Sequence, residues 1–331
     1  MNFQITDDQE SIKASIEKIC TRFDARYWLE KDKHGGFPND FVAALAADGW
    51  LGICIPPEYG GSGLGITDAA IMMRAASEGG GGMSAASSVH INVFGLHPVV
   101  VFGTPEQKER YLPPIARGEV QACFAVTEPN TGLNTTQPRT RAVRSGDKYV
   151  VNGSKVWIST AQVAHKCLLL ARTTPLEEVK NPTHGMNPER VPIAAEAVGL
   201  GHLALSHAVR YAKDRVVFNR PIGQNQGIQH PLAQNWMELE AAWLMTLQAG
   251  WQYDNGKNCA AAANSAKYLA AEAGYNACQR AVMTHGGFGY AKEYHVERFM
   301  REGMLPRIAP ITPELIMCFI AEKVLGLPRS Y

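Results

Sequence analysis

The sequence lacks an excess of charge of either sign. Of its 331 residues, 32 are Lys or Arg and 31 are Asp or Glu, which gives a formal net charge of +1. Nucleic acids and anionic membrane surfaces attract strongly basic proteins. The balance therefore gives no electrostatic reason to expect a nucleic acid or a membrane as partner.

Long apolar runs and targeting signals are also missing. No uninterrupted apolar run approaches the ~18 residues that a transmembrane helix needs, and the stretch Ala164–Ala171 contains His165 and Lys166. The first residues, Met1–Asp8, are acidic and lack the basic stretch that secretory and organellar leaders carry. We therefore expect a cytoplasmic protein.

Cysteine and histidine patterns give no support for a metal site. The seven cysteines are scattered, odd in number and without a C-x-x-C pair, and the ten histidines never pair at ligand spacing. This pattern favours a reducing compartment over a disulfide framework. We expect no bound metal.

Several common catalytic motifs are absent. The nearest match to G-x-G-x-x-G, Gly199–Ala204, lies in a helical run instead of following a strand, so we interpret its glycines as sites of close helix packing. The sequence also has no P-loop, no H-E-x-x-H and no G-x-S-x-G. A nicotinamide enzyme, a zinc enzyme and a serine hydrolase are therefore poorly supported.

The first 118 residues or so show helical patterns. Ile12, Ile16, Ile19 and Phe23 form a stripe on one helix face, and the segment from Thr6 to Gln9 has the pattern of a capping box. Two further helices are predicted, over Asn39–Asp48 and from Pro105 towards Leu112.

From about Gln121 the apolar pattern changes to a period of two. Turn residues separate the predicted strands at Asn130–Gly132, Ser145–Asp147 and Asn152-Gly153, and the last of these predicts a hairpin turn. Short alternating or β-branched segments predict five strands, at Gln121–Thr127, Arg139–Val143, Tyr149–Val151, Lys155–Ile158 and Lys166–Ala171.

Helical patterns return at Asn187 and continue to the end of the chain. The order of helices, strands and helices predicts a mainly α protein with a β insert. Five short strands make a small sheet with an uncovered edge, which invites aggregation. The direct passage from this small region to the helices at Asn187 is therefore unexpected.

Four segments occur together in a recognisable order. They are Val126–Gly132, Val156–Ser159, Arg215–Phe218 with Gln226, and His285–Gly289. In this order and context the chain resembles the acyl-CoA dehydrogenases, flavin enzymes that desaturate acyl-CoA thioesters. The segment Glu322–Arg329 also resembles the last helix of that family.

The resemblance implies three domains. They are an N-terminal helical domain (1–119), a middle β-barrel or β-sandwich domain (120–186, incomplete) and a C-terminal four-helix bundle (187–331). It also implies FAD as cofactor, with Trp157 and Ser159 against the flavin ring. Arg215 and Phe218 would meet the pyrophosphate and adenine of a neighbouring subunit's FAD. The residues implied to contact FAD are Phe124, Val126, Thr127, Gly132, Leu133, Trp157, Ser159, Arg215, Phe218, Gln226, Gly286, Gly287 and Thr312.

The catalytic base is the least regular feature of the resemblance. Most family members carry a glutamate on a loop near the C-terminus, and Pro310 stands at that position here. Proline cannot accept a proton from substrate. A minority, similar to isovaleryl- and long-chain-type enzymes, place the base at the start of the first C-terminal helix, which implies Glu189 as base.

Two substrate contacts and one alternative carboxylate accompany this assignment. Arg190 and Leu133 would contact the substrate, and Glu314 is the fallback base. The segment from Asn187 to Glu189 is also an ordinary helix start, with an N-cap, a proline and an acidic first turn. Glu189 can therefore be capping, catalytic or both.

Three departures from the family pattern accompany these expectations. Leu133 replaces a usual Ser or Thr, Met283 replaces a common Gln, and the further strands that family members have after Met186 are missing, which implies that part of the β domain is absent between residues 186 and 187. Either the chain is naturally shorter or the sequence omits a segment, and we favour omission because the motifs on both sides are intact. The resemblance implies FAD-dependent α,β-dehydrogenation of an acyl-CoA to the trans-2-enoyl-CoA, in fatty-acid or branched-chain catabolism. It also implies a homotetramer that passes electrons to an electron-transferring flavoprotein. The alternatives are an oxygen-using enzyme similar to acyl-CoA oxidase or nitroalkane oxidase, and a non-catalytic relative.

Overall fold

The computed structural model describes residues 4–95, 97–135, 137–175 and 187–330. The chain divides into two compact units. A helical unit comprises Met1–Leu45, Leu64–Ser87 and Asn187–Tyr331, and a mixed unit comprises Ala46–Gly63 and Ser88–Met186. The limits expected for three domains stay predictions, and the expected gap after Met186 borders residues outside the described ones.

Helices make up most of the described chain. In the N-terminal part they are α1 (Asp7–Cys20), α2 (Ala25–His34), α3 (Asn39–Ala47), α4 (Ile66–Ala76), α5 (Gly82–Phe94), α6 (His97–Phe102) and α7 (Pro105–Ala116). In the C-terminal part they are α8 (Asn187–Asp214), α9 (Gln226–Asp254), α10 (Ala260–His285), α11 (Val296–Gly303), α12 (Leu305–Ile308) and α13 (Pro313–Phe319).

The helix starts follow the sequence signals. Thr6 accepts a hydrogen bond from the Gln9 backbone N–H, and the Gln9 side chain accepts one from the Thr6 N–H, so the predicted capping box is confirmed. The apolar stripe of α1 is buried at Ile12, Ile16 and Ile19. The same capping arrangement begins α7 at Thr104.

The core of the helical unit lies among four helices. Helix α8 packs on α4, α9 and α10, and α9 packs on α4 and α10. Glycine permits this close approach, because a Cβ on Gly201 would lie 3.0 Å from the Gly274 Cα and 2.5 Å from Leu239 Cδ2. A Cβ on Gly199 would lie 2.5 Å from the Arg74 carbonyl oxygen. The interpretation of these glycines as packing sites is confirmed.

The described strands form three separate pairs. Strands β1 (Ala122–Ala125) and β4 (Lys166–Leu169) run parallel, whereas β2 (Arg141–Ser145) pairs with β3 (Lys148–Asn152) as an antiparallel hairpin. In the helical unit, β5 (Val216–Val217) pairs with β6 (Arg220–Pro221). Strands are few and short, and the fold is mainly α with a β insert, as predicted.

The turn predicted at Ser145–Asp147 joins β2 to β3, and Gly146 within it has φ of 63°. Two other predictions for the β region are wrong, the first being the hairpin at Asn152-Gly153, because no strand follows that pair until β4. The segment Lys155–Ile158 is not a strand, because Trp157 has φ of 59°, a left-handed conformation that cannot continue an extended chain.

Among the described residues, two helical stretches are long and apolar enough to cross a membrane by length and composition, Ile66–Phe102 and Val296–Val324. In the first, 53% of the apolar window is buried inside the fold, and in the second 11%. Core helices of soluble proteins pass the same criterion, so this is weak evidence for a membrane span. The expectation of no membrane partner stays a prediction.

Candidate functional site

Backbone and side-chain hydrogen bonds hold the segment after β3 against β1 and its continuation. The Val156 N–H donates to the Thr127 carbonyl at 3.0 Å, and the Thr160 hydroxyl donates to the Ala122 carbonyl at 2.9 Å. The Lys155 ammonium donates to the Val126 carbonyl at 2.7 Å. The structure therefore brings together two of the segments that the resemblance assigns to the flavin.

Trp157 stands out on this segment. Its side chain is 90% exposed, and its backbone has φ of 59°. A bulky residue in this region costs of order 1–3 kcal/mol, and such conformations cluster at functional sites. An exposed tryptophan held in a strained conformation offers a flat aromatic face to a ligand.

The other predicted cofactor residues of this unit are accessible to a ligand. Phe124, Val126 and Thr127 are half-buried, whereas Gly132 and Ser159 are exposed. Leu133, the predicted substrate contact, is 52% exposed on the loop that follows. All seven predicted cofactor residues of the β region thus retain accessible surface in this unit.

A buried ion pair that the sequence analysis missed supports this loop. The Glu128 carboxylate accepts hydrogen bonds from the backbone N–H groups of Arg139 at 2.6 Å and Thr140 at 2.9 Å, and from Lys155 at 3.0 Å. Burial raises the pKa of Glu128, but the hydrogen bonds from Thr140, Lys155 and Arg139 outweigh it and lower the pKa to about 2. Glu128 is therefore a fixed anion that organises the loop.

A second group of predicted residues lies around an open cavity in the helical unit. Its volume is about 490 Å³. Arg215 lies over the Phe288 ring, 5.6 Å from the centroid. A Cβ on Gly286 or Gly287 would meet nothing within 4 Å, so the backbone at this turn is open to a ligand. The lining is completed by Tyr211, Val217, Ile222, Met283, Thr284 and His285.

This cavity combines a cation with aromatic rings. Tyr211 and His285 stack with ring centroids 4.2 Å apart. Burial lowers the pKa of His285, although its hydrogen bond to the Ala281 carbonyl opposes the shift. Arg215 supplies a planar fork of donors for a diphosphate. Met283, the residue that departs from the family pattern, lines the same cavity.

The turn between β5 and β6 carries a second strained aromatic residue. Phe218 is 93% exposed with φ of 53°, and Asn219 has φ of 59°. Two consecutive positive φ values are typical of the tightest hairpin turns, where asparagine is common and phenylalanine is not. The exposed ring suits contact with a ligand. Gln226 is also exposed, at the start of α9.

The predicted base occupies the expected place in the helical unit. Glu189 lies in the first turn of α8 and is half-buried, as is Arg190. Burial lowers the pKa of Arg190, and the charge of Glu189 opposes that shift. The two side chains therefore place a carboxylate and a guanidinium near enough for their charges to interact, at a partly desolvated helix start.

Lys267 is a second residue that the sequence analysis missed. It is 1% exposed on α10, and its ammonium donates to the carbonyl of Ile311, next to Pro310 and Thr312. Burial lowers its pKa to about 8, helped by Arg190 and opposed by Glu272, Glu189 and Glu314. A lysine among the buried alanines Ala263, Ala266 and Ala270 is the sequence signal that could have identified it.

The fallback carboxylate is placed less well for proton abstraction. Glu314 is exposed in the first turn of α13, and hydrogen bonds from its own backbone N–H and from Thr312 lower its pKa. A strong base at neutral pH needs desolvation. Thr312 itself is half-buried at the N-cap of α13.

The described residues do not form a ligand set of the kind that a metal ion needs. Among residues 4–95, 97–135, 137–175 and 187–330, no group of three or more His, Cys, Asp or Glu side chains is placed to hold an ion.

Comparison with known proteins identifies the family. Three family models match: the acyl-CoA dehydrogenase N-terminal domain over residues 6–119, the middle domain over 123–215 and the C-terminal domain over 180–325. The acyl-CoA dehydrogenase fadE12 of Mycobacterium tuberculosis is 33% identical over 389 residues, covering 100% of this chain and 99% of that protein. The chain belongs to the acyl-CoA dehydrogenase family.

Solved structures agree with this assignment. Butyryl-CoA dehydrogenase from Megasphaera elsdenii superposes with a TM-score of 0.91 at 25% identity, covering 98% of this chain and 100% of that one. A chain from a study of the electron transferring flavoprotein of Acidaminococcus fermentans gives a TM-score of 0.92 at 27% identity, covering 98% and 100%. This acyl-CoA dehydrogenase is an oxidoreductase with FAD as cofactor.

The residues present fit FAD. In the helical unit, the open backbone at Gly286 and Gly287, with Arg215 beside it, suits a pyrophosphate, and the exposed ring of Phe218 suits a flat ring system. In the mixed unit, the exposed ring of Trp157 likewise suits a flat ring system. The alignment with fadE12 spans 58 positions more than the 331 residues of this chain (389 − 331). The relative therefore has residues that this acyl-CoA dehydrogenase lacks.

Proposed function

We propose that this enzyme desaturates an acyl-CoA thioester between Cα and Cβ to give the trans-2-enoyl-CoA, with Glu189 as the base. The observation that carries the proposal is the position of Glu189, half-buried in the first turn of α8 beside Arg190. Pro310 cannot abstract a proton, and Glu314 is exposed.

The reaction requires two hydrogens to leave the substrate in different forms. Glu189 takes the α-hydrogen as a proton on a carboxylate oxygen, and bound FAD supplies the acceptor for the hydride that leaves Cβ. The helix N-terminus stabilises the anionic form of Glu189 before the reaction. Exclusion of water by bound substrate would oppose that effect and make the carboxylate a stronger base.

The other predicted residues hold and orient the two ligands. Arg190 and Leu133 contact the substrate. Trp157 and Ser159 lie against the flavin ring, together with Phe124, Val126, Thr127 and Gly132. The remaining FAD contacts are made by Arg215, Phe218, Gln226, Gly286, Gly287 and Thr312. Of these, Arg215 and Phe218 contact the cofactor of a neighbouring subunit. What supports these roles is the accessible surface or cavity position of each residue described above.

Anaerobic reduction by acyl-CoA tests the assignment of the base. Glu189→Gln keeps the shape of the side chain but removes its negative charge. We therefore expect the variant to retain bound FAD with its visible absorption band. Loss of a general base costs roughly 10²–10⁴-fold, so bleaching by an acyl-CoA mixture should slow by that factor. Glu314→Gln is the matched control and should bleach at the wild-type rate. Unimpaired bleaching of Glu189→Gln would refute Glu189 as base.

The electron acceptor is a separate part of the proposal. We propose an electron-transferring flavoprotein, because the A. fermentans chain similar to this one was studied with such a protein. Oxygen is the alternative, as in an oxidase. Substrate-dependent oxygen uptake at a rate equal to turnover would overturn the proposal, whereas turnover only with added electron-transferring flavoprotein would support it.

The net direction of the reaction, oxidation or reduction of the substrate, can be measured with the same assay. Two relatives, the 3-(aryl)acrylate reductase of Clostridium sporogenes and a caffeyl-CoA reductase subunit of Acetobacterium woodii, are 31% identical and are named for reductions. We propose net oxidation, since two relatives aligned over 100% and 98% of this chain are named acyl-CoA dehydrogenases. A homotetramer in the cytoplasm completes the proposal, and its mass in solution can be measured by light scattering.

A further inference from the structure

Two cysteines lie directly opposite each other in the parallel pair of strands β1 and β4. Cys123 is the register partner of Cys167. Side chains of directly paired residues project from the same face of a sheet, and neighbouring strands lie about 4.7–4.9 Å apart. Ala122 and Leu168 belong to the apolar cluster on the other face. The two thiols therefore share the face that points away from that cluster.

The two cysteines differ in access to solvent. Both are free thiols; Cys123 is 5% exposed, whereas Cys167 is exposed. Burial raises the pKa of Cys123 to about 11, and a side-chain hydrogen bond and the charge of Cys167 act in the same direction. The thiols are thus near enough to influence each other, and only Cys167 is open to a reagent from solvent.

We propose that Cys123 and Cys167 form a dithiol site that peroxides oxidise to a reversible disulfide and that trivalent arsenicals bind through both sulfurs. The strand spacing falls inside the roughly 4.4–6.8 Å between Cα atoms that a disulfide spans. In a reducing compartment such a disulfide is transient, which agrees with a reversible modification.

The oxidation proceeds in two balanced steps. The Cys167 thiolate attacks one oxygen of hydrogen peroxide, the O–O bond breaks, and Cys167 becomes a sulfenic acid while the second oxygen leaves as water after taking up a proton. The Cys123 sulfur then attacks the Cys167 sulfur, the S–O bond breaks, and hydroxide leaves with the Cys123 proton as water. Two thiols are oxidised, and one peroxide is reduced to two waters.

The site lies immediately before the loop that bears the predicted flavin contacts. Strand β1 continues into Val126 and Thr127, which hold the segment carrying Trp157 through hydrogen bonds. A bond between Cys123 and Cys167 would tie β1 covalently to β4 beneath this loop. The inference goes beyond the proposed function and does not depend on Glu189 being the base.

Mass spectrometry of the FAD-loaded enzyme tests the oxidation. After treatment with equimolar hydrogen peroxide, we expect loss of two hydrogen atoms per chain, a cross-linked peptide pair containing Cys123 and Cys167, and full reversal by dithiothreitol. Cys167→Ala alters an exposed position and should abolish the cross-link, whereas Cys54→Ser should leave it intact. Oxygen added to Cys167 while Cys123 remains alkylatable in the unfolded protein would overturn the proposal.

A second measurement tests the proximity of the thiols without oxidation. Phenylarsine oxide should bind the wild-type enzyme at one equivalent and protect both cysteines from N-ethylmaleimide added after unfolding in the presence of the arsenical. Cys167→Ala should bind at least tenfold more weakly, because one thiol cannot chelate. Equal binding by the two proteins would show that the sulfurs do not act together and would contradict the proposal.

Discussion

The Lys155 ammonium lies 3.0 Å from the Glu128 carboxylate, and the two side chains are 8% and 2% exposed. The pair joins the loop after β1 to the segment that carries Trp157. Removal of either partner leaves the other charge buried without its counterion. The stability of the loop therefore depends on both residues at once.

We expect Glu128→Gln and Lys155→Met each to destabilise the protein by about 3–5 kcal/mol, the cost of breaking a buried ion pair. Lys148→Met removes an exposed lysine of β3 and should change stability by less than about 0.5 kcal/mol. Urea denaturation followed by Trp fluorescence measures all three. Equal midpoints for Lys155→Met and Lys148→Met would contradict the structural role of the pair.

The same carboxylate predicts a pH dependence at the acid end. The pKa of Glu128 is lowered to about 2 in the folded protein, below the ordinary value of about 4.3 expected in the unfolded chain. The stabilisation is therefore fully present above about pH 5 and is lost as the pH falls towards 2. Wild-type stability should fall more steeply over this range than that of Glu128→Gln. Parallel curves for the two proteins would count against the assignment.

Helix packing predicts opposite outcomes for two Gly→Ala substitutions. A Cβ on Gly274 of α10 would lie 2.5 Å from the Ala197 carbonyl oxygen of α8, whereas a Cβ on Gly227 of α9 would meet nothing within 4 Å. We expect Gly274→Ala to cost about 1–3 kcal/mol through overpacking. Gly227→Ala should be neutral or stabilise by up to about 1 kcal/mol, because alanine favours helix. Thermal unfolding distinguishes the two, and equal effects would contradict the close approach of α8 and α10.

Because the backbone at Trp157 is strained, we expect substitution of this residue to change stability and cofactor binding in opposite directions. Trp157→Gly removes a side chain that is 90% exposed and relieves the left-handed conformation, so stability without FAD should be unchanged or rise by up to about 1 kcal/mol. Retention of FAD after gel filtration should fall severalfold, since the aromatic face is gone. Trp157→Phe keeps both the strain and a flat ring and serves as control. Full FAD retention by Trp157→Gly would rule out a flavin contact at this residue.

Local signals were sufficient for most helices. The capping box at Thr6, the proline Pro105 and the apolar stripe of α1 predicted where helices begin and which face they bury, because these features depend only on residues close together in sequence. The motifs from Val126 to Gly289 identified the family and the cofactor for the same reason. Each motif is a short segment whose residues can be compared directly.

Local signals failed for one segment of the β region. Asn152-Gly153 has the composition of a hairpin turn, yet the segment after it forms no strand, and Lys155 lies in an ion pair with Glu128 instead. Strand pairing is decided by partners distant in sequence, and Lys155 finds Glu128 across 27 positions. No pattern within the segment 152–158 could have indicated that contact.

The sequence by itself determined the family, the FAD chemistry, the helix starts and the placement of Glu189 in a first helical turn. Only the tertiary structure decided that Lys267 is buried against the Ile311 carbonyl, that Glu128 is a fixed anion, and that Cys123 faces Cys167. The physical reason is that burial, pKa and strand register are properties of neighbours in space. Those neighbours lie tens of residues apart, and only the folded chain brings them together.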